Sequence, residues 1–259
     1  LEVEMRKTTM RLAAIGAALC ITASIALVLG GCGGSGKSSA QAREVLDAAT
    51  STMAALKYVK EAGSNSMVSE DSSVPAVEVT FQSEMDFTDP SNPQAHTTIG
   101  QSNIEMNVYA SGGFVYTEGV SGNWQKVKTE GASSLAPKDL KEIAAGAKNV
   151  RLTSEGPGQY EVSFDVGAQA LKDSDLLGGT DQETAPGKQA EEALKQLKIK
   201  AVYTIAKDTK YVTRARLDMR MPAVAEAGET SGLMTVDFSG FNEPVSVVLP
   251  EAAKSATCK

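Results

Sequence analysis

Apolar positions along the chain follow three rhythms. The first is continuous: from Leu12 to Leu29 no charged residue occurs, and Ala, Ile, Leu and Val dominate. The second is helical. Ala42, Val45, Leu46, Ala49, Met53, Leu56 and Val59 recur every three or four residues and set one apolar stripe along a helix. Ser38 with Gln41 supplies a capping box at its start, Gly63 a stop, and Ser64 to Ser73 reads as a polar loop. The third rhythm has period two. Val77, Val79, Phe81, Met85 and Phe87 fall on one face, with Glu78, Thr80, Gln82, Glu84 and Asp86 on the other, as in a half-buried antiparallel strand.

The same period continues downstream. Asp89 to Pro93 turns the chain, and Thr97 to Ala110 reads as one strand with Ile104, Met106 and Val108 on a common face. Gly112-Gly113 turns it again, and Phe114–Thr117 with Trp124–Lys128 flanks a Gly-rich loop, which predicts a hairpin. Pro137 opens a second helix with Leu140, Ile143, Ala144 and Ala147 in register. Strands are expected at Val150–Ser154 and Gln159–Val166, and short helices at Gln169–Leu176 and Pro186–Leu197. Ile199–Ala206, Val212–Met221, Leu233–Phe238 and Val245–Leu249 complete the strands, with Asp208-Thr209-Lys210 as a tight turn between the first two. The order predicts α+β architecture: a single curled antiparallel β-sheet with helices packed on its concave face and an apolar concavity between them.

The amino-terminal run has a separate meaning. Arg6, Lys7 and Arg11 precede it, and Leu29-Gly30-Gly31-Cys32 ends it. A basic flank, an apolar stretch and small residues before a cleavage point are the parts of an export signal. A Cys directly after them resembles the bacterial lipobox. That resemblance implies a diacylglycerol thioether on Cys32, cleavage before it and an acylated new amino terminus. Leu1 to Glu4 precede Met5 and read as an upstream extension. The division expected is therefore a signal peptide over 1–31, a Gly/Ser-rich tether over 32–39 and a domain over 40–259. A plain transmembrane anchor is a weaker alternative. Gly31-Cys32-Gly33-Gly34-Ser35-Gly36-Lys37-Ser38 also fits the phosphate-loop pattern. The apolar run before it is far longer than a buried strand, however, and no alternation of strands and helices follows to build a parallel sheet.

Charge and cysteine narrow the reading further. The first 31 residues hold three of the 25 basic and two of the 32 acidic residues, so the remainder has a net charge of −8. An acidic surface without a clustered basic face excludes nucleic acid as a partner. It also offers no electrostatic hold on anionic lipid, which leaves the membrane connection to the lipid on Cys32. With Cys20 inside the signal and Cys32 acylated, Cys258 has no cysteine left to pair with, so no intramolecular disulfide is expected.

Three segments carry a wider resemblance. Phe114-Val115-Tyr116-Thr117 with Gly122-Asn123-Trp124-Gln125-Lys126-Val127, the stretch Tyr203 to Val212, and the tail Val236 to Pro250 are similar to segments of LolA-like bacterial lipoproteins of the LppX/LprG type. The resemblance implies a half-barrel cradling helices, a cavity for an acyl chain or other lipophile, and a place in the cell envelope of an actinobacterium. It transfers no individual binding residue.

Catalytic chemistry finds no support. The sole histidine, His96, lies in a polar turn and reads as a solvated side chain. No Gly-x-Ser-x-Gly elbow, CxxC or HExxH occurs, so no nucleophile site, cofactor or metal is suggested. Carboxylates in the strands alternate with apolar residues and read as the solvated face of the sheet. The candidates for lining an apolar pocket are Val79, Phe81, Met85, Met106, Phe164, Met219 and Met234. Met suits a pocket for variable tails, although ordinary core filling is the simpler role for it. Two functions follow: a carrier or sensor of a lipophile, or a lipid-anchored module with a filled core that meets another envelope protein. Neither is an enzyme.

Overall fold

The computed structural model describes residues 39–70, 75–102, 104–119, 122–128, 137–167, 196–221 and 229–258. Residues 1–38, with Cys32, and the helices expected across 168–195 lie outside the described residues.

Eleven strands form one antiparallel sheet. They are β1 (Tyr58–Ser69), β2 (Val77–Asp86), β3 (Gln94–Gln101), β4 (Ile104–Ser111), β5 (Phe114–Glu118), β6 (Trp124–Lys128), β7 (Ala147–Glu155), β8 (Gln159–Val166), β9 (Lys198–Ala206), β10 (Val212–Met221) and β11 (Thr230–Ser239). Their order is β6-β5-β4-β3-β2-β1-β11-β10-β9-β8-β7. Neighbours in sequence are neighbours in space except β6 and β7, which lie at opposite ends of the order, and at the centre β1 pairs with β11 and joins the two meanders. The sheet stays open, with β6 and β7 as its edges, and curls into a half-barrel.

Helix α1 (Ser39–Ala54) lies on one face. It buries Ala42, Leu46, Ala49 and Met53 of the stripe read from the sequence, together with Thr50. Helix α2 (Pro137–Ala145) links β6 to β7, packs against α1, and buries Leu140, Ile143 and Ala144. Across from them Val162, Phe164, Tyr203, Ile205 and Leu217 are almost wholly excluded from water. Each large apolar side chain so buried stabilises the fold by about 1.5–3 kcal/mol. A short helix α3 (Glu251–Lys254) leads to a single parallel bridge between Cys258 and Lys126, so the tail pairs with part of the β6 edge.

Four sequence expectations need correction. The helical stripe does not run to Val59. Helix α1 ends at Ala54 with i,i−3 bonds from Ala55 and Leu56, and Val59 belongs to β1. Leu56 and Val59 enter the same core, which is why the spacing imitates a longer helix. The segment from Ser64 is not a loop as far as Ser69, because pairing on both sides satisfies its backbone despite its polar side chains. Thr97–Ala110 is not one strand but β3 and β4, reversing at Ser102, whose φ is 56°. Val245–Leu249 is not a strand, since none of its residues pairs with the sheet.

Candidate functional site

Cross-strand register decides which side chains share a face. Val79 and Phe81 oppose Asn65 and Gly63, and Met85 opposes Val59. Asn65 in turn opposes Met234, which opposes Leu217. Met219 opposes Ile199, Ile199 opposes Val166, and Phe164 opposes Ala201. On the other side Phe81 opposes Ile99, and Ile99 opposes Met106. All seven apolar candidates therefore stand on one face, the one that carries the helices.

They do not stand there equally. Met85, Phe164 and Met219 are buried in the main core, with Phe164 edge-on to Tyr203 at 5.0 Å between ring centroids. Val79, Phe81, Met106 and Met234 are only half-buried, as are Ile99 and Val108 beside them. The inner face thus has a filled part under α1 and α2 and a half-exposed apolar strip on β1 to β4 and β11.

A row of polar side chains crosses this face. Glu61 opposes Ser83, and Ser83 opposes Thr97. The two hydroxyls hydrogen-bond at 3.0 Å. Glu61 itself is 3% exposed, and its Oε1 accepts no hydrogen bond among the described residues. Tyr203 is fully buried on the same face, and its hydroxyl likewise has no hydrogen-bond partner there. Asp139, in the first turn of α2, is also fully buried. Burial pushes the Glu61 carboxyl well above its ordinary range, and the Asp139 charge pushes it further. The same two causes, in the same order, hold the Tyr203 phenol above its usual value.

Sequence reasoning missed this cluster. It placed strand carboxylates on the solvated face, and Glu61 lay in a segment taken for the end of a helix. The one available signal was parity: once β1 is a strand, Glu61 shares a face with Val59.

Other candidate groups fall elsewhere. His96 is not in a turn but within β3, on the opposite face, stacked on Tyr109 with ring centroids 4.3 Å apart and bonded to Asn107 at 3.1 Å. Among the described residues no group of three or more His, Cys, Asp or Glu could hold a metal ion. Cys258 is exposed. Gly31–Ser38 lies outside the described residues, and the eleven named strands that follow it pair antiparallel with one another. A groove of about 1190 Å³ opens mainly on the helix-free face, where Lys200, Arg214, Arg216, Asp218 and Asp237 line it. Its charged walls suit an acyl chain poorly, so the inner face is the better candidate for an apolar ligand.

Comparison with solved structures matches this architecture. LprF from Mycobacterium bovis is 14% identical, with a TM-score of 0.51, and the match covers 85% of this chain and 100% of that one. The lipoprotein LppX from Mycobacterium tuberculosis is 15% identical, with a TM-score of 0.50, over 82% of this chain and 100% of its own. At such identity the likeness speaks for the fold alone, and that fold is shared with LprF and LppX. No curated protein sequence matches the chain. A model of one family, described as a family of unknown function, matches residues 41–257.

Proposed function

The chain belongs to DUF6612, a family of unknown function, and we propose that this member is an exported, lipid-anchored envelope protein that binds a lipophilic ligand on the inner face of its half-barrel. The observation that carries this reading is the division of that face. One part is closed under α1 and α2, while Val79, Phe81, Ile99, Met106 and Met234 form an adjoining apolar strip that is only half-buried. An apolar surface left partly open has a hydrophobic driving force to take up a lipophile.

The anchor rests on sequence. Leu29-Gly30-Gly31-Cys32 follows a basic flank and an uncharged apolar run. The fold shared with the lipoprotein LppX supports an extracytoplasmic place at the membrane. No helix among the described residues is long and apolar enough to cross a membrane. In this reading the protein holds its ligand and performs no chemistry on it.

The test uses the full chain, expressed in a bacterium and purified from its membranes in mild detergent. Mass spectrometry of an organic extract should release one lipophile per chain, and Cys32→Ser should move the protein into the soluble fraction. A clean extract from a protein that also refuses added lipids would overturn the carrier and leave a lipid-anchored module for an envelope protein partner.

A further inference from the structure

A net charge of −8 argues against an electrostatic hold on anionic lipid only where the charges are evenly spread, and in the fold they are not. On the helix-free face Lys198 and Lys200 of β9 stand beside Arg220 of β10, and all three are exposed. Register places Arg220 directly opposite Lys198. Like charges so paired repel across the strands and weaken the sheet unless an anion offsets them. Among the described residues these three cations take part in no ion pair. The carboxylates opposite Lys200 are turned to other partners. Asp218 pairs with Arg216 at 3.2 Å, and Asp165 accepts from Asn149 at 2.6 Å. Lys198, Lys200 and Arg220 thus line the groove of about 1190 Å³ at the end that register puts farthest from Gln159.

The chain enters the fold at this same end. Arg43, one turn into α1, donates from Nη1 to the Ala147 carbonyl at 3.3 Å. Ala147 opposes Val166, Val166 opposes Ile199, and Ile199 opposes Met219, so Lys198 and Arg220 lie one residue beyond that line. Helix α1 starts here at Ser39 and delivers the chain to Tyr58, at the far end of the sheet. Seven residues take the chain from Cys32 to Ser39, a span of at most about 25 Å. A lipid on Cys32 therefore holds this end near the head groups, with enough slack to reach them. Attraction between basic side chains and an anionic leaflet acts only at such short range, within about 8 Å at physiological salt.

From this placement, and resting on the proposed anchor at Cys32, we infer that Lys198, Lys200 and Arg220 are a docking surface for the anionic phospholipid head groups of the bilayer that holds the chain. The anchor attaches the protein, and the three cations set its attitude. The end that carries them lies on the head groups, and the far end, with Lys57 and Lys128, points away. The stretch 168–195 has six acidic and three basic residues, so carboxylates of the chain itself are the competing anion.

The experiment takes the full chain purified from bacterial membranes and reconstitutes it in vesicles of phosphatidylcholine alone or with about 30% phosphatidylglycerol. Flotation shows whether the protein rides with the vesicles. Brief acetylation with an activated ester, followed by peptide mass spectrometry, then gives a rate for each lysine. The expected result is flotation with both vesicles and, on the anionic ones, acetylation of Lys198 and Lys200 at least about threefold slower. Exposed Lys57 and Lys128 should keep their rates, and about 0.5 M salt should abolish the protection. In Lys198→Gln combined with Arg220→Gln, two exposed positions that the fold does not need, Lys200 should be protected by less than about 1.5-fold. Full protection of Lys200 in that variant would overturn the assignment to these residues. Equal rates on the two vesicles, or slowing at Lys57 and Lys128 instead, would overturn the docking surface and leave the anchor standing. A protein that floats with neither vesicle would overturn both.

Discussion

Replacing Glu61 with Gln should change how stability depends on pH, and the sign follows from the burial of that carboxyl. In the unfolded chain it titrates near its ordinary value of 4.5, whereas in the fold burial first and Asp139 second hold it well above that. From about pH 4.5 upward the folded protein therefore keeps a proton that the unfolded chain releases. Stability contributed by this group is fully present below the unfolded value and is lost as pH rises. The loss is about 1.4 kcal/mol per pH unit until the folded carboxyl itself ionises. A glutamine of the same shape has no proton to lose. The difference in unfolding free energy between Glu61→Gln and the unmodified protein should grow in favour of the variant by about that slope between pH 5 and 6. Tyr203 does not interfere, because its phenol is pushed further up from an already alkaline value. Removing the neighbouring charge with Asp139→Asn should lower the folded value for Glu61 and narrow the window. Urea unfolding followed by Trp124 fluorescence, repeated from pH 4 to 8, measures these slopes. Parallel curves for the two proteins between pH 5 and 7 would refute the reasoning, because Glu61 would then ionise as freely in the fold as in the unfolded chain.

Other substitutions test the packing. At Gly63 an added Cβ would lie 2.5 Å from the Thr235 carbonyl oxygen as well as against Phe81. The ring can turn but the backbone cannot, so Gly63→Ala should cost about 1–3 kcal/mol in thermal melts, and adding Phe81→Leu should recover only part of it. Leu46, fully buried on α1, should cost about 2–5 kcal/mol as Leu46→Ala, read from the urea midpoint at constant m-value. The Arg214–Asp237 pair is bidentate, at 2.5 and 3.1 Å, but its side chains are 57% and 49% exposed. Asp237→Asn should therefore shift stability by less than about 1 kcal/mol, and the shift should shrink in high salt. A larger, salt-insensitive loss would mean that the pair is structurally coupled to the sheet.

Elements with apolar residues at every second position were legible in the sequence. Val77 to Met85, broken only at Ser83, and Tyr160 to Val166 and Ile199 to Ile205 alternate because one face of each meets the core and the other meets water. Helix α2 was legible from Pro137 and its apolar register. Strand β1 was not, although it lies at the centre of the sheet. Its inner positions include Glu61, Gly63 and Asn65, so the apolar alternation is lost there. Its stability comes from ladders to β2 and β11, and that pairing is invisible to a local pattern. The reversal between β3 and β4 was hidden for a different reason. The alternation of Ile104, Met106 and Val108 is the same whether the chain runs straight or folds back, and only the turn brings Ile99, seven residues from Met106, onto their face. Val245, Val247 and Leu249 show the opposite failure, with alternation present and no neighbouring strand to use it.

Parity explains why apolar lining candidates could be named and why the acid could not. Counting by twos placed Val79, Phe81, Met85, Met106, Phe164, Met219 and Met234 without knowledge of any pairing, and register then carried that parity from strand to strand. Nothing in the count separates Met85, sealed beneath the helices, from Met106, which stays half-open, because cover depends on where α1 and α2 come to rest. A count also assigns every strand carboxylate to water by default. Glu61 breaks that default at a cost that neither the pairing of β1 nor the packing of α2 requires, since an apolar side chain in its place would remove the desolvation penalty altogether. A fold with a large apolar core can carry such a cost, and a binding surface has a reason to. A buried polar atom without a hydrogen-bond partner is unfavourable only until a ligand supplies one, so the same residue that weakens the empty protein would favour the loaded one. On this argument delipidation should lower the melting temperature of the unmodified protein by more than that of Glu61→Gln, and an equal drop in both would detach Glu61 from the ligand.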